Sequence, residues 1–171
     1  MSKKWSREIG KQMPKRTDDQ KADDLAWRTW RKWGVSGTKS RAAAEFQKMI
    51  RYESADNRGM VTCVTCGFQN HWRNSDNLMD CGHFVGGRSN SVAFLDDNAN
   101  PQCVKCNRHL SGNLAVYQTW MVEKHGYRRV AEIKRLRNET KKLTAQELNV
   151  MRLEYRKRSK LAEKRLRELE Q

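Results

Sequence analysis

Two Cys-x-x-Cys pairs, Cys63/Cys66 and Cys103/Cys106, with 36 residues between them, constrain this chain more than any other feature. Each pair can turn two sulfurs toward one point, and two pairs complete the tetrahedral thiolate shell that zinc takes in closed structural sites. The separation exceeds the simplest zinc-ribbon spacing, so the metal must staple the two ends of a larger insert. Four thiolates leave no position for water, which gives this zinc a structural part and not a catalytic one. Zinc contributes roughly 10–16 kcal/mol in small zinc modules. Only 37% of the 171 residues are hydrophobic, thin for a single large core, so such a contribution matters here. Cys81 stands apart, either as a buried small hydrophobe or as a further thiol near the functional centre.

Thirty-five Lys and Arg against 20 Asp and Glu leave a formal charge of +15, which suits a polyanionic partner, nucleic acid first. Binding an anionic membrane surface needs an apolar helical face or a lipid anchor beside the charge, and neither is evident. No run of 18 apolar residues occurs, and the opening MSKKWSREIG lacks the apolar stretch of a signal peptide. The expectation is a cytoplasmic protein whose cysteines bind metal and do not form disulfides. Basic clusters such as Arg128-Arg129, Lys134-Arg135-Arg137, Lys141-Lys142 and Arg156-Lys157-Arg158 read as phosphate contacts in a chain of this charge.

The first 17 residues are basic and patternless, an arm. Helical signals run from Asp18 and Asp19 through Leu25, Trp27, Trp30 and Trp33, and Gly34 to Gly37 reads as a linker. The three tryptophans suit packing of that helix on the body better than base stacking. A second helix is expected from Thr38 to Glu53, with Ala43, Phe46, Ile50 and Ala42 on one face. From Val61 to about Asn113, turns and short apolar segments suit two small strands, a loop and a short helix. Thr144 opens T-A-Q-E, a capping box with Glu147. Beyond it Leu148, Met151, Tyr155, Ala162, Leu166 and Leu169 stripe a long helix that can pack on the centre, pair with a second copy, or lie along DNA.

Between the cysteine pairs lie Asp80-Cys81-Gly82-His83, a loop with Gly86, Gly87 and Arg88, then Asn98, and finally Cys103-Val104-Lys105-Cys106-Asn107-Arg108. This order resembles the HNH nuclease motif. There a histidine ends the first strand, a central asparagine steadies the loop, and a histidine or asparagine opening the helix binds the catalytic metal. From about residue 38 onward the chain also resembles the phage NinG (Rap) family of recombination nucleases. That resemblance rests on Gln102-Cys103-Val104-Lys105-Cys106-Asn107, Ser111-Gly112-Asn113-Leu114 and Tyr117, with Cys63-Val64-Thr65-Cys66-Gly67 and Gly82-His83-Phe84.

The resemblances imply an α+β fold, a small zinc-stapled ββα-metal (HNH) core flanked by long N- and C-terminal helices. The division that follows is an arm and Trp-rich helix over 1–37, a helix leading into the core over 38–58, the core over 59–125 and a basic helical region over 126–171. They imply a Mg²⁺- or Mn²⁺-dependent DNA endonuclease, acting on branched recombination intermediates such as a Holliday junction or D-loop in the host cytoplasm and leaving 5′-phosphate and 3′-hydroxyl ends.

The chemistry can be argued from the residues. Phosphodiester hydrolysis requires an activated water and a cation at the leaving oxygen. An imidazole such as His83 can be neutral near pH 7 and take the water's proton, and Asn107 can offer a carbonyl oxygen to a hard cation. Gly82 departs from the HNH pattern, where an acidic residue commonly precedes the base. Asp80 is therefore a second or water-mediated metal ligand, as D-C-G-H is similar to the D-R-G-H of nonspecific ββα-metal nucleases. Leu110 stands where lysine is common, and Arg108, Lys105 or Arg88 can supply that charge to phosphate. Two-site incision of a junction suggests a homodimer. The rival reading is a non-catalytic, zinc-organised DNA- or RNA-binding protein.

Overall fold

The computed structural model describes residues 17, 21, 30–74, 79–86 and 89–170. Most of the expected first helix, with Leu25 and Trp27, and the loop residue Arg88 lie outside them. The described elements are a 3-10 turn Trp30–Trp33, α1 (Gly34–Glu53), β1 (Met60–Thr62), β2 (Gln69–His71), β3 (Asp80–His83), the single turn α2 (Asn90–Ala93), β4 (Ala99–Gln102), α3 (Leu114–Leu136) and α4 (Ala145–Leu169). A 3-10 turn, Asp96–Asn98, leads into β4, and a π-turn, Lys105–His109, follows it. No described helix is long and apolar enough to cross a membrane.

α1 begins at Gly34, four residues before the expected start, so the segment read as a linker is helical. Two glycines and a serine weigh against helix by propensity. In this first stretch Thr38 Oγ1 donates to the Gly34 carbonyl at 2.6 Å and Ser40 Oγ to that of Ser36 at 3.2 Å. The buried face is Thr38, Ala42, Phe46, Met49 and Ile50, with Ala43 only half-buried. α4 starts at the expected capping box, the Thr144 hydroxyl accepting from the Glu147 N–H while Glu147 accepts from the Thr144 N–H. Its buried residues include Leu148, Arg152, Tyr155, Ser159, Ala162 and Leu166, spaced alternately by four and three as one seam requires.

That seam packs on α1. Arg152 of α4 and Arg41 of α1 stand over the Trp33 ring, 5.4 and 4.1 Å from its centroid. Phe46 meets Tyr155 at 5.0 Å between ring centroids, Lys48 pairs with Glu163, and Arg165 donates to the Ala55 carbonyl. Low numbers meet low and high meet high, so the two helices run parallel, and residues 54–144 form the crossover between them. The stripe that a second copy could have used is covered by α1; Leu169 alone among its predicted members is exposed.

The crossover holds two antiparallel pairs, β1 with β2 and β3 with β4, where one was expected. β1 and β2 have three residues each, too short for alternation to reveal them. The short helix expected at the end of this region is a π-turn followed by 23-residue α3, which bends at Gly126 (φ 77°, ψ 157°). Apolar burial is divided among three clusters. One surrounds the cysteines (Val61, Trp72, Met79, Leu166), one joins Phe84 and Val92 to α3, and one joins α1 to α4 through Ala99.

Leu166 is 1% exposed and bridges α4 to the cysteine cluster. Leu166→Ala should lower unfolding free energy by about 2–5 kcal/mol, and Thr144→Ala by about 1 kcal/mol through loss of the cap. Both are measured by denaturant titration.

Candidate metal centre and the β3–β4 site

The first cysteine pair occupies the turn after β1. The Cys63 N–H donates to the Phe68 carbonyl at 2.8 Å and the Gly67 N–H to that of Cys63 at 2.9 Å; Gly67, at φ +74°, supplies the left-handed residue that closes the turn. The second pair follows β4, with the Cys106 N–H directed at Cys103 Sγ at 3.4 Å. The Val64 N–H donates to the Pro101 carbonyl at 3.0 Å and so sews the first turn to β4.

All four sulfurs lie within 4.8 Å of one another, and Cys66 Sγ is 3.7 Å from Cys103 Sγ. Tetrahedral zinc with Zn–S of ~2.3 Å places sulfurs about 3.8 Å apart, so the cluster fits a zinc ion. Burial works against ionising Cys63, but the Thr65 hydroxyl and backbone N–H groups outweigh it and draw that thiol down to about 6. Burial and the neighbouring sulfurs push Cys66 up to about 12. The sulfurs thus compete for negative charge, which a dication among them would relieve. Cys81 stands outside the cluster, packed against the Phe46–Ile50 face of α1, and burial pushes its thiol up to about 12. It is the small hydrophobe of the two alternatives.

β3 and β4 pair from Asp80 opposite Gln102 to His83 opposite Ala99. The half-buried His83 ring lies 6.4 Å from Phe46, and its Nε2 is 3.0 Å from the Ala93 carbonyl. A carbonyl only accepts, so Nε2 carries a proton, and the tautomer compatible with this contact has its lone pair on Nδ1. Asn98 is fully buried. It accepts from the Val85 N–H at 2.8 Å and donates to the carbonyls of Val85 and Val92 at 3.1 and 2.9 Å, latching the loop that returns from β3 to β4.

Asn107, in the π-turn, donates through Nδ2 to Asp80 Oδ2 at 2.9 Å. Its side-chain Oδ1 accepts no hydrogen bond among the described residues, while its backbone carbonyl accepts from the Gly112 N–H at 3.1 Å. The Arg108 guanidinium grips the same carboxylate in a two-point pair, 2.8 and 2.7 Å. Burial alone would raise the Asp80 carboxyl. The hydrogen bonds from Arg108 and Asn107, with the charge of Arg51 on α1, hold it below the usual carboxylate range. Asp80 therefore orients Asn107, and both of its oxygens are engaged. Arg108 is committed to Asp80, Lys105 is exposed beside Cys66 and Phe68, and His109 is exposed. Of the remaining histidines, His71 stands 3.5 Å from Glu170 and His125 packs edge-on to Trp120.

Sequence reasoning passed over Arg51 and gave Gln102 no part beyond its place in the motif. Arg51 adjoins the apolar face of α1, and only the packing of α1 across β3 brings its charge to Asp80. Gln102 is fully buried, donating to the Gly112 carbonyl at 2.8 Å and toward Thr65 Oγ1 at 3.3 Å, so it links β4 to both turns. It also accounts for Gly82: a Cβ there would stand 2.0 Å from Gln102 Oε1. The acidic residue common before the histidine in HNH proteins has no room in this strand.

The fold and site define a class: an α+β protein in which a four-cysteine cluster able to hold zinc ties together a small β-pair bearing one histidine and its asparagines. The chain matches the family described as Bacteriophage Lambda NinG protein over residues 2–166 and belongs to that family. The match takes in the N-terminal segment that the resemblance drawn from motifs had left out. The chain is 30% identical over 101 residues to the Protein ninG of Salmonella phage P22 and, over the same length, to that of Escherichia phage lambda. For Escherichia phage 933W the identity is 29%. Each alignment covers 58% of this chain and 47% of the relative, so the chain spans about half the length of the curated relatives it matches. No solved structure is matched.

Native mass spectrometry should find one zinc per chain, absent in Cys103→Ser, and its removal by a chelator should lower the melting temperature. Gly82→Ala should destabilise by about 1–3 kcal/mol through overpacking. Combined with Gln102→Ala, the loss should fall short of the sum of the two single losses in denaturant unfolding.

Proposed function

We propose that this protein is an HNH-type endonuclease that hydrolyses phosphodiester bonds in branched DNA, with His83 as general base. The supporting observation is the state of His83: its Nε2 proton is committed to the Ala93 carbonyl at 3.0 Å, leaving Nδ1 as a fixed acceptor at the end of β3. A water aligned on a phosphate can pass its proton to that nitrogen as its oxygen attacks phosphorus. Asn98 keeps the carbonyl-bearing loop in place, and therefore the ring.

Asn107, pinned through its amide nitrogen by Asp80, would hold Mg²⁺ or Mn²⁺ through its carbonyl oxygen, a cation whose charge neutralises the leaving oxygen. Asp80 is a positioning residue in this reading and a ligand only where Arg108 releases it. Cys106 adjoins Asn107, so the cysteine cluster fixes the position of the metal-binding amide. The charge of +15 supports a nucleic-acid substrate; preference for branched DNA rests on the resemblance to recombination nucleases.

One observation favours a second reading, a zinc-organised DNA-binding protein without catalysis: Arg108 and Asn107 already take both oxygens of Asp80. Labelled four-way junction, flap and linear duplex, with Mg²⁺ and without it, separate the two. The nuclease reading expects metal-dependent cutting, strongest on branched DNA, that falls at least about 100-fold in His83→Ala and in Asn107→Ala while zinc content is unchanged. Tight binding with no cutting by wild type in Mg²⁺ or Mn²⁺ would establish the second reading instead.

A further inference from the structure

Directly after His83 the chain enters a cleft of about 690 Å³, within the ~300–1,000 Å³ usual for small-ligand sites. Phe84 and Val85 form its floor, α3 adds Leu114 and Gln118 near its start, and Lys134 and Arg137 come from the other end of the helix, beyond the bend at Gly126. The floor is fixed, because Asn98 binds both the N–H and the carbonyl of Val85.

The lining divides by chemistry. Leu114 is apolar yet 52% exposed and supplies the accessible apolar surface, over a floor in which Phe84 and Val85 are themselves buried. The Gln118 amide accepts from Lys134 Nζ at 2.8 Å, and that ammonium stands 5.5 Å from the Phe84 ring centroid. No ion pair among the described residues neutralises Lys134 or Arg137. An apolar shelf, an amide and two cations match the base face, base edge and phosphates of one nucleotide. Only an unpaired nucleotide presents all three, since in a duplex the faces are stacked and the edges paired.

We infer that this cleft seats one unpaired nucleotide of a DNA strand, its base against Phe84, Val85 and Leu114, its edge at Gln118 and its phosphates at Lys134 and Arg137. His83 packs toward Phe46 of α1 while Phe84 packs toward Tyr117 of α3, as consecutive strand residues face opposite ways, so the cleft holds a nucleotide apart from the face that His83 presents. The inference rests on DNA as the ligand, as in the preceding subsection, and does not require cleavage.

The test uses the zinc-loaded 171-residue chain in magnesium-free buffer, with fluorescence anisotropy on an oligonucleotide single strand of about 20 nucleotides and a blunt duplex of the same sequence. Leu114→Ser and Gln118→Ala should each weaken single-strand binding about five- to tenfold and duplex binding less than about twofold. Lys134→Ala with Arg137→Ala should weaken both and flatten the salt dependence. A 2-aminopurine stepped along the single strand should report one position of distinct fluorescence, lost in Gln118→Ala, which is a readout independent of how Leu114→Ser folds. Equal weakening of single strand and duplex by Leu114→Ser and Gln118→Ala, or a uniform 2-aminopurine response, would overturn the assignment and leave the cleft a resting place for duplex phosphates. Cutting by wild type alongside unaffected cleft variants removes this inference alone. The expected binding pattern without cutting sustains it and removes the nuclease reading alone.

Discussion

The closure of Cys63 and Cys66 upon Cys103 and Cys106 is the constraint on which the rest depends. Those four sulfurs fix the end of β1 against the end of β4, and with it every residue whose position is referred to β4: His83 across the pair, Asn98 leading in and Asn107 leading out. The apolar clusters around this point are small and separate, so none could hold the strands in register unaided. A chelated cation is a compact way to order a segment made mostly of turns.

Around that staple the structure joins its parts with polar groups. Gln102 reaches from β4 to the carbonyl of Gly112 and the hydroxyl of Thr65, Asn98 fastens the loop, and Arg158 spans Glu53 of α1 and Asp96 before β4. Trp72 is held by Tyr52 edge-on and by Glu170 through its indole N–H. Buried amides are costly when unsatisfied and directional when satisfied. They let a chain with few apolar residues specify one arrangement of very short strands.

Much of this was legible in the sequence, for identifiable reasons. Cysteine spacing carries its meaning without neighbours, so the cluster could be read directly. Thr144 with Glu147 is a local signal, and the helix starts where it says. The order of His83, Asn98 and Asn107 singled out which side chains to watch; His83 ends β3 and Asn107 lies in the π-turn after β4. Non-local matters were hidden: the hydrogen bonds that direct Asp80 to Asn107 and Arg108, the charge of Arg51, and the exclusion of a side chain at Gly82 by Gln102. The start of α1 was misplaced because Gly34 and Gly37 read as helix breakers, yet the exposed residues 34–36 are already helical.

The parallel course of α1 and α4 has a consequence for how the chain is made. Parallel neighbours cannot be joined by a tight turn, so the apolar face of α1 waits for a partner that leaves the ribosome only after the whole 54–144 crossover. The cysteine-stapled segment is complete long before. Closure of the cysteine cluster is therefore the early event and helix pairing the late, long-range one, with the slow closure typical of high contact order. During that interval Phe46, Met49 and Ile50 are uncovered, and the same lateness that assembles the protein is its window of aggregation.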